Sequence, residues 1–337
     1  MKVSLITTVK DARRDVEAFL ASVAAQTRPP EEVIVVDGGS TDGTLEILRR
    51  APGITLIEQP GANIARGRNV ALAAAAHDVL ALTDADCVLE PDWLERLLAP
   101  IERGADVSMG TYRPIADGFL QSCMAAVNLP DPAELDESRF LPSGRSVAFR
   151  REAIEAVGGW PEWLDIGEDM YVDLRWRELG LDMRLAREAV VHWRLRGSLA
   201  GTWAQYFRYA RGDAIAGMHP DRNALRFGVY GAALWALGSR RRLPQAATVL
   251  GAAARAARPV RRALARLERP GERASALVAV PALMAFTDVA KMAGYAAGLL
   301  ARSRRALRPE AEASGPQSAA RVGSRRRPRG SSRGRSG

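Results

Sequence analysis

Cysteine is nearly absent. Cys87 and Cys123 are the only two in 337 residues, they form no C-x-x-C pair, and no disulfide framework can be built from them. A reducing compartment fits that usage. No apolar leader precedes the first strand-like run, "KVSLITTV", so the part that follows is expected to face the cytoplasm. An uninterrupted membrane-length apolar run is also missing. "LRFGVYGAALWALG" is too short to span a bilayer, and "ASALVAVPALMAFTDVAKMAGYAAGLLA" is broken by Pro281, Asp288 and Lys291. Aromatic residues are few and do not interleave with the arginines of the C-terminus, which argues against nucleic acid as a stacked partner.

Charge is plentiful but unevenly placed. Residues 1–215 hold 24 Lys and Arg against 33 Asp and Glu, whereas the whole chain carries a net charge of +9. The first part is thus acidic and the remainder strongly basic, implying two pieces with different partners. With 47% apolar residues, a large core is easy to build.

Four buried-strand candidates, "VSLITTV", "EVIVV", "ITLIE" and "VLALT", alternate with helical patterns in the first third. Val16, Phe19, Leu20 and Val23 fall at helical spacing behind Asp11, a candidate N-cap. Apolar strands alternating with helices predict a parallel sheet covered on both faces. Beyond residue 105, "ADVSMGTYRP", "RSVAFRR", "MRLAR" and "AVVHW" read as further strands, with a long loop around "NLPDPAELDES" and a helix over "EDMYVDLRWRELG".

The chemistry gathers where an open sheet of this kind binds ligands, at the carboxyl ends of its strands. The second strand ends in Asp37 and the turn "DGGSTDGT"; the fourth ends in Asp84 and Asp86. Like charges at one edge repel unless a cation sits among them, and a hard divalent ion that also binds phosphate oxygens is the economical choice. Taken singly, a D-x-D pair or a Gly-Ser-Asp turn is ordinary loop chemistry. The ordered set at strand ends, with "GED" at 167–169 added, is what points to a site.

In sequence order, "LITTVK", "VIVVDGGSTDGT", "ARGRN", "LTDADC" and "GEDMYVDLRWRELG" resemble the family 2 glycosyltransferases of the GT-A fold, over residues 1–215. The resemblance implies an α/β fold: a GT-A type, Rossmann-like mixed sheet flanked by helices, followed by an α-helical C-terminal region. It implies inverting transfer of a sugar from a nucleotide-diphosphate sugar, assisted by a divalent cation, Mn2+ or Mg2+. Thr8 and Lys10 would then line the nucleotide pocket, Asp37 bind base or ribose, and Arg68 lie near the nucleotide. Asp84 and Asp86 match the D-x-D element, Asp86 being closest to the metal. Asp169 matches the general base that takes the acceptor's proton, with Glu168 shaping the acceptor side; alone, the two would read as first-turn acids on a helix dipole. His192 has two readings, a third metal ligand or a partly buried histidine. Arg145 and Trp160 fall where relatives shape the acceptor pocket; the other reading has Gly158 and Gly159 ending a helix and Trp160 packing locally. "QYFRY" resembles the Q-x-x-R-W element of processive synthases, with Tyr209 in place of Trp and plain packing as the alternative.

Three segments are expected: a catalytic domain over 1–220, a helical membrane-associated region over 221–308, and a disordered basic tail over 309–337. Arginine clusters flanking Ala/Leu/Val segments suggest an anionic membrane surface as partner, beside the nucleotide-sugar donor and a sugar or lipid-linked acceptor. Asp288 and Lys291, three apart, are placed to pair with each other. Competing readings are a nucleotidyltransferase, disfavoured because "TTVKDARRD" has no glycine, and a membrane- or nucleic-acid-binding protein acting through its basic end.

Overall fold

A computed structural model describes residues 1–306; the tail expected over 309–337 lies outside the described residues. In chain order the elements are β1 (Val3–Val9), α1 (Val16–Ala24), β2 (Glu32–Asp37), α2 (Thr44–Arg50), β3 (Thr55–Glu58), α3 (Ile64–Ala74), β4 (Val79–Leu82), β5 (Cys87–Leu89) and α4 (Trp93–Glu102). Then come β6 (Val107–Ile115), α5 (Phe119–Asn128), β7 (Val147–Arg150), α6 (Arg151–Glu155), α7 (Glu168–Glu178) and β8 (Met183–Arg194). Four helices follow: α8 (Leu199–Ala216), α9 (Pro220–Gly238), α10 (Arg242–Arg266) and α11 (Pro270–Ala306).

One eight-stranded sheet runs in the order β3-β2-β1-β4-β7-β6-β8-β5. The first four strands are parallel, as their apolar runs predicted, and β7 and β5 pair antiparallel with their neighbours, which makes the sheet mixed. The chain moves outward from β1 to β3 and then returns to place β4 on the other side of β1. That reversal puts the topological switch point between the ends of β1 and β4, where Lys10 and Asp84 lie.

Alternate residues of each strand enter different cores. Val3 and Leu5 join a cluster with Phe19 of α1 and Leu97 of α4, while Ile6, Ile34 and Leu82 face a second cluster with Trp160 and Trp176. Both faces are therefore dry, which is why the strands read as continuous apolar runs. Ala263 of α10 and Val280 and Met284 of α11 belong to the first cluster, beside Met124 of α5. The C-terminal helices thus bury part of their surface on the same core as the sheet.

Several elements differ from expectation. Asp11 does not cap α1; it sits at φ 51° and accepts a hydrogen bond from the Thr41 amide at 2.8 Å, tying the β1 end to the β2 turn. "MRLAR" and "AVVHW" form one strand, β8, continuous past a register shift opposite Met109 and Thr111. The short β5 and the helix α5 lie where no element was expected.

Helix α11 is long and apolar enough, by length and composition, to cross a membrane, yet it lies along α8. Gly294 and Gly298 make that approach possible. A Cβ on Gly294 would run into the Phe207 carbonyl, and one on Gly298 would stand 2.5 Å from the Arg211 carbonyl oxygen. Asp288 is 3% exposed and does not pair with Lys291. Its carboxylate is taken by Arg255 of α10 at 2.8 Å, Arg226 of α9 at 3.3 Å and the Tyr230 hydroxyl at 2.9 Å. A buried carboxylate needs such partners, and here they bind three helices together.

Candidate active site

Asp37 ends β2 and is almost fully buried. Its carboxylate accepts from the amides of Gly39 and Ser40, both at 2.9 Å, and from the Ser40 hydroxyl at 2.6 Å. It therefore sets the shape of the turn that follows. Thr8 is half-buried against Gly67 of α3, and Lys10 is exposed at the β1 end.

The centre of the site is an ionic bridge spanning a hundred residues of chain. Arg68, 1% exposed on α3, donates to Asp84 Oδ1 at 3.0 Å and to Glu168 Oε1 at 2.7 Å. It thus fastens the end of β4 to the start of α7. Burial pushes the Glu168 carboxyl up to about 7, against the opposing pull of Arg68. Gly167, at φ 90°, turns the chain into α7 in a conformation that favours glycine. Asp169 follows, half-buried, with Oδ2 accepting from the Gly144 amide at 3.1 Å. Asp173, one turn further on, is buried, and burial together with Asp169 holds its carboxyl well above the usual carboxylate range.

Arg145 lies beside the D-x-D carboxylates. Its guanidinium stacks on Trp193 at 4.1 Å, reaches Asp84 Oδ2 at 3.9 Å, and donates to the Tyr209 hydroxyl at 3.3 Å. Gln205 donates to the same hydroxyl at 2.9 Å, so the "QYFRY" segment of α8 faces this cluster rather than only packing. Asp86 accepts from Trp193 Nε1 at 3.2 Å; burial and the neighbouring Asp84 raise its pKa.

Two expected site residues stand elsewhere. His192 neighbours Trp193 on β8, and alternation turns it away; its Nε2 meets Glu90 at 3.1 Å, not Asp86. Among the described residues no cluster of three or more His, Cys, Asp and Glu is arranged to hold a metal ion. Trp160 is 3% exposed, edge-on to Phe149 at 5.8 Å, so it supports Arg68 from the core instead of lining an acceptor pocket. Gly158 and Gly159 both adopt positive φ after α6, the local-packing alternative.

A cavity of about 470 Å³ is bounded by Arg68, Asp84, Arg145 and Asp169 on the sheet side and by Tyr206, Arg222 and Lys291 on the helical side; Asp86 does not line it. A second cleft of about 570 Å³ lies between α1, α2 and the start of β3; Glu17 and Arg50 are its only charged lining groups, so it offers no comparable chemistry. Trp193, Asp173 and Asp213 join the site although the sequence pattern assigned them no role, whereas Tyr209 was marked by its place in "QYFRY". Helical spacing from Asp169 to Asp173 is the one signal that was available for the three.

Residues 4–157 match the glycosyl transferase family 2 model. The segment they form is a domain of this family. Succinoglycan biosynthesis protein ExoA of Rhizobium meliloti is 29% identical over 215 residues, covering 59% of this chain and 65% of that protein, just under two thirds of its length. Glycosyltransferase AglE of Haloferax volcanii is 29% identical over 249 residues, covering 70% and 80%. Among solved structures, mannosyltransferase PcManGT from Pyrobaculum calidifontis, in complex with GDP-Man and Mn2+, shares the fold at TM-score 0.52 and 21% identity, covering 91% of this chain and 87% of that one. The family match ends before Glu168, so the base candidate and the four C-terminal helices rest on geometry.

Proposed function

We propose that the enzyme transfers a sugar, with inversion, from a nucleotide-diphosphate sugar to an acceptor hydroxyl. The observation that carries this reading is the convergence of Asp84, Arg145 and Asp169 on one cavity at the switch point of the sheet. On the donor side, Thr8, Lys10 and Asp37 hold the nucleoside, while Arg68 keeps Asp84 in place at the diphosphate. Arg145 adds a fixed positive charge there, pre-oriented by its stack on Trp193. Asp169 acts as general base across the cleft, taking the acceptor's proton as the new bond forms. Glu168 holds the start of α7 through Arg68.

The residues also fit a divalent cation. Asp86 has one oxygen engaged by Trp193 and the other only 3.7 Å from a thiol, so a hard anionic donor remains available. Mn2+ or Mg2+ held by Asp86, with Asp84 beside it, would stabilise the charge of the departing nucleoside diphosphate. The complex of the PcManGT fold with GDP-Man and Mn2+ supports both the donor class and the ion.

The enzyme works at the cytoplasmic face of a membrane in this reading, attached through α9 to α11. Leu234 and Trp235 of α9, Leu243 and Leu250 of α10 and Val278 of α11 are 62–84% exposed. Arg240, Arg241 and Arg242 stand at the α9–α10 turn, where each adds roughly 1 kcal/mol near an anionic surface. Interfacial attachment suits α11 better than a span, because its Asp288 face is committed to other helices.

The test screens nucleoside diphosphates and their sugars with Mn2+ against the purified full chain, by thermal shift and by release of nucleoside diphosphate. A stabilising nucleotide whose effect disappears in Asp86→Ala is expected. Nucleotide release that persists undiminished in a chelator would remove the cation from the reading, and no response to any nucleotide would remove the reading itself.

A further inference from the structure

The helical wall of the cavity holds more positive charge than its own carboxylates answer. Asp213 is met by Arg222 at 3.3 Å. Asp288 is shared by Arg226 and Arg255, two cations on one carboxylate. Lys291 then has no acid left. Its ammonium lies 4.6 Å over the Tyr206 ring and, among the described residues, makes no hydrogen bond or ion pair. Burial, with Arg226, Arg222 and Arg255 nearby, pushes its pKa down to about 8 despite Asp288. His219 is on the same wall, and its Nε2 is buried with no partner among the described residues.

Leaving a partly buried ammonium and a ring nitrogen unmatched costs stability, and a fold keeps such groups where a ligand completes them. The missing partner must be an anion rich in acceptor oxygens, reached from the same cavity as Asp169. In the reading above the donor's diphosphate sits at Arg145 and at the cation that Asp84 and Asp86 would hold, so this second anion belongs to the other substrate. We propose that Lys291, Arg222 and Arg226 form a subsite for a phosphate or pyrophosphate group carried by the acceptor. The proposal rests on the glycosyltransferase reading above and names the acceptor class for it. The exposed apolar surface of α9, which supplies both arginines, lies next to this wall and suits a phosphate whose other end is a lipid.

The experiment uses the full chain in mild detergent with its best-binding nucleoside diphosphate present at saturation. Inorganic pyrophosphate, farnesyl diphosphate and farnesol are titrated calorimetrically into wild type, Lys291→Met, Lys291→Arg and Arg222→Met. Both phosphate probes should bind wild type and farnesol should not. Lys291→Met should weaken them at least about tenfold, the worth of one charge-assisted hydrogen bond, with Lys291→Arg restoring part of the loss. Nucleoside diphosphate affinity should stay unchanged in all variants. Arg222 is exposed, so Arg222→Met keeps the test valid if Lys291→Met folds poorly. Tighter binding of farnesyl diphosphate than of pyrophosphate assigns a lipid-linked acceptor; equal binding assigns a soluble phosphate ester. Binding of neither probe, or equal binding by wild type and both Met variants, overturns the subsite. Failure of wild type to bind any nucleotide overturns the glycosyltransferase reading instead, whatever pyrophosphate does.

Discussion

Replacing Arg68 by methionine keeps the aliphatic stem and removes the charge that joins β4 to α7. Arg68 and Glu168 are 1% and 4% exposed, so water cannot take over from the lost partner. Breaking a buried pair from one side costs about 3–5 kcal/mol, because a desolvated charge is left uncompensated. At about 2 °C per kcal/mol for a chain of this size, the melting temperature should fall by roughly 6–10 °C. The loss should depend on pH in a stated direction. Burial already holds the Glu168 carboxyl up at about 7, and Arg68 is the main opposing influence. Without Arg68 its pKa rises further, so the folded state binds a proton that the unfolded state, at an ordinary carboxylate pKa, does not. A raised carboxylate pKa makes stability fall as pH climbs from the unfolded value through the folded one. Arg68→Met should therefore be least harmful near pH 5 and most harmful above pH 7. Glu168→Gln on the Arg68→Met background should recover part of the loss, since the stranded charge is gone. Denaturant titrations of the four proteins at pH 5, 6, 7 and 8 measure this. A single-variant loss below about 1 kcal/mol at pH 8, or strict additivity in the double variant, would refute the bridge as the element holding the two walls together.

Asp169→Asn should leave nucleotide affinity near wild type while sugar transfer drops by about 10²–10⁴-fold, the worth of a positioned base; single-turnover assays beside calorimetry check it, and lost nucleotide binding would reassign the residue to the donor site. Gly294→Leu should force α11 away from the Phe207 backbone, costing at least about 1–3 kcal/mol and shifting the fluorescence of Trp203, which packs on Phe286 of α11; an unchanged melting temperature would mean the two helices do not need that approach. Asp213 and His219 should act oppositely on stability. Burial raises the Asp213 pKa to about 6, so its contribution falls as pH rises from 3.8 to 6, whereas burial lowers that of His219 to about 4, so its contribution grows between 4 and 6.5. His219→Asn keeps a residue that tolerates the φ of 53° and should tilt the melting profile downward with pH in that window; a profile parallel to wild type would count against a neutral, buried ring. Flotation with anionic vesicles should weaken as salt rises and should weaken again when Arg240, Arg241 and Arg242 are all changed to Gln; salt-independent flotation would point to apolar insertion alone.

The strand ends were legible because they depend on local pattern. Four apolar runs, each closed by a turn or an acid, are enough to predict parallel strands whose carboxyl ends share an edge, and Asp37 and Asp84 stand there. What sequence pattern could not deliver was partnership at long range. Arg68 and Glu168 are a hundred residues apart, and only the fold shows that one Glu168 oxygen is held by a guanidinium. His192 and Trp193 illustrate how one residue of register decides a role. The three-residue strand β5 is too short to carry a periodic signal, yet by pairing Cys87 with Trp193 it sets which of the two side chains meets Asp86. Asp288 and Lys291 were expected to pair because they are three apart on one helix. A buried carboxylate takes the strongest donors within reach, and two arginines from neighbouring helices displaced the lysine.

That displacement bears on what the C-terminal helices are for. Had they been only an anchor, their polar groups would be satisfied among themselves and their contact with the sheet domain slight. Instead α11 presses Gly294 and Gly298 against the backbone of α8, and Val280 and Met284 enter the same core as β1. The division at residue 220 runs through a single cavity: Asp84 and Asp169 lie before it, Arg222, Arg226 and Lys291 after it. A helix fixed this tightly by its small residues holds Lys291 at one position relative to Asp169. Side chains that must meet two substrates at once gain from such rigidity, since a shift of about 1 Å at a reacting centre can cost on the order of 10²-fold in rate. The arrangement therefore makes the helical region a wall of the cavity that holds Asp84 and Asp169, in addition to the attachment proposed for it. Variants that loosen α11, Gly294→Leu first among them, should impair acceptor use before they impair nucleotide binding.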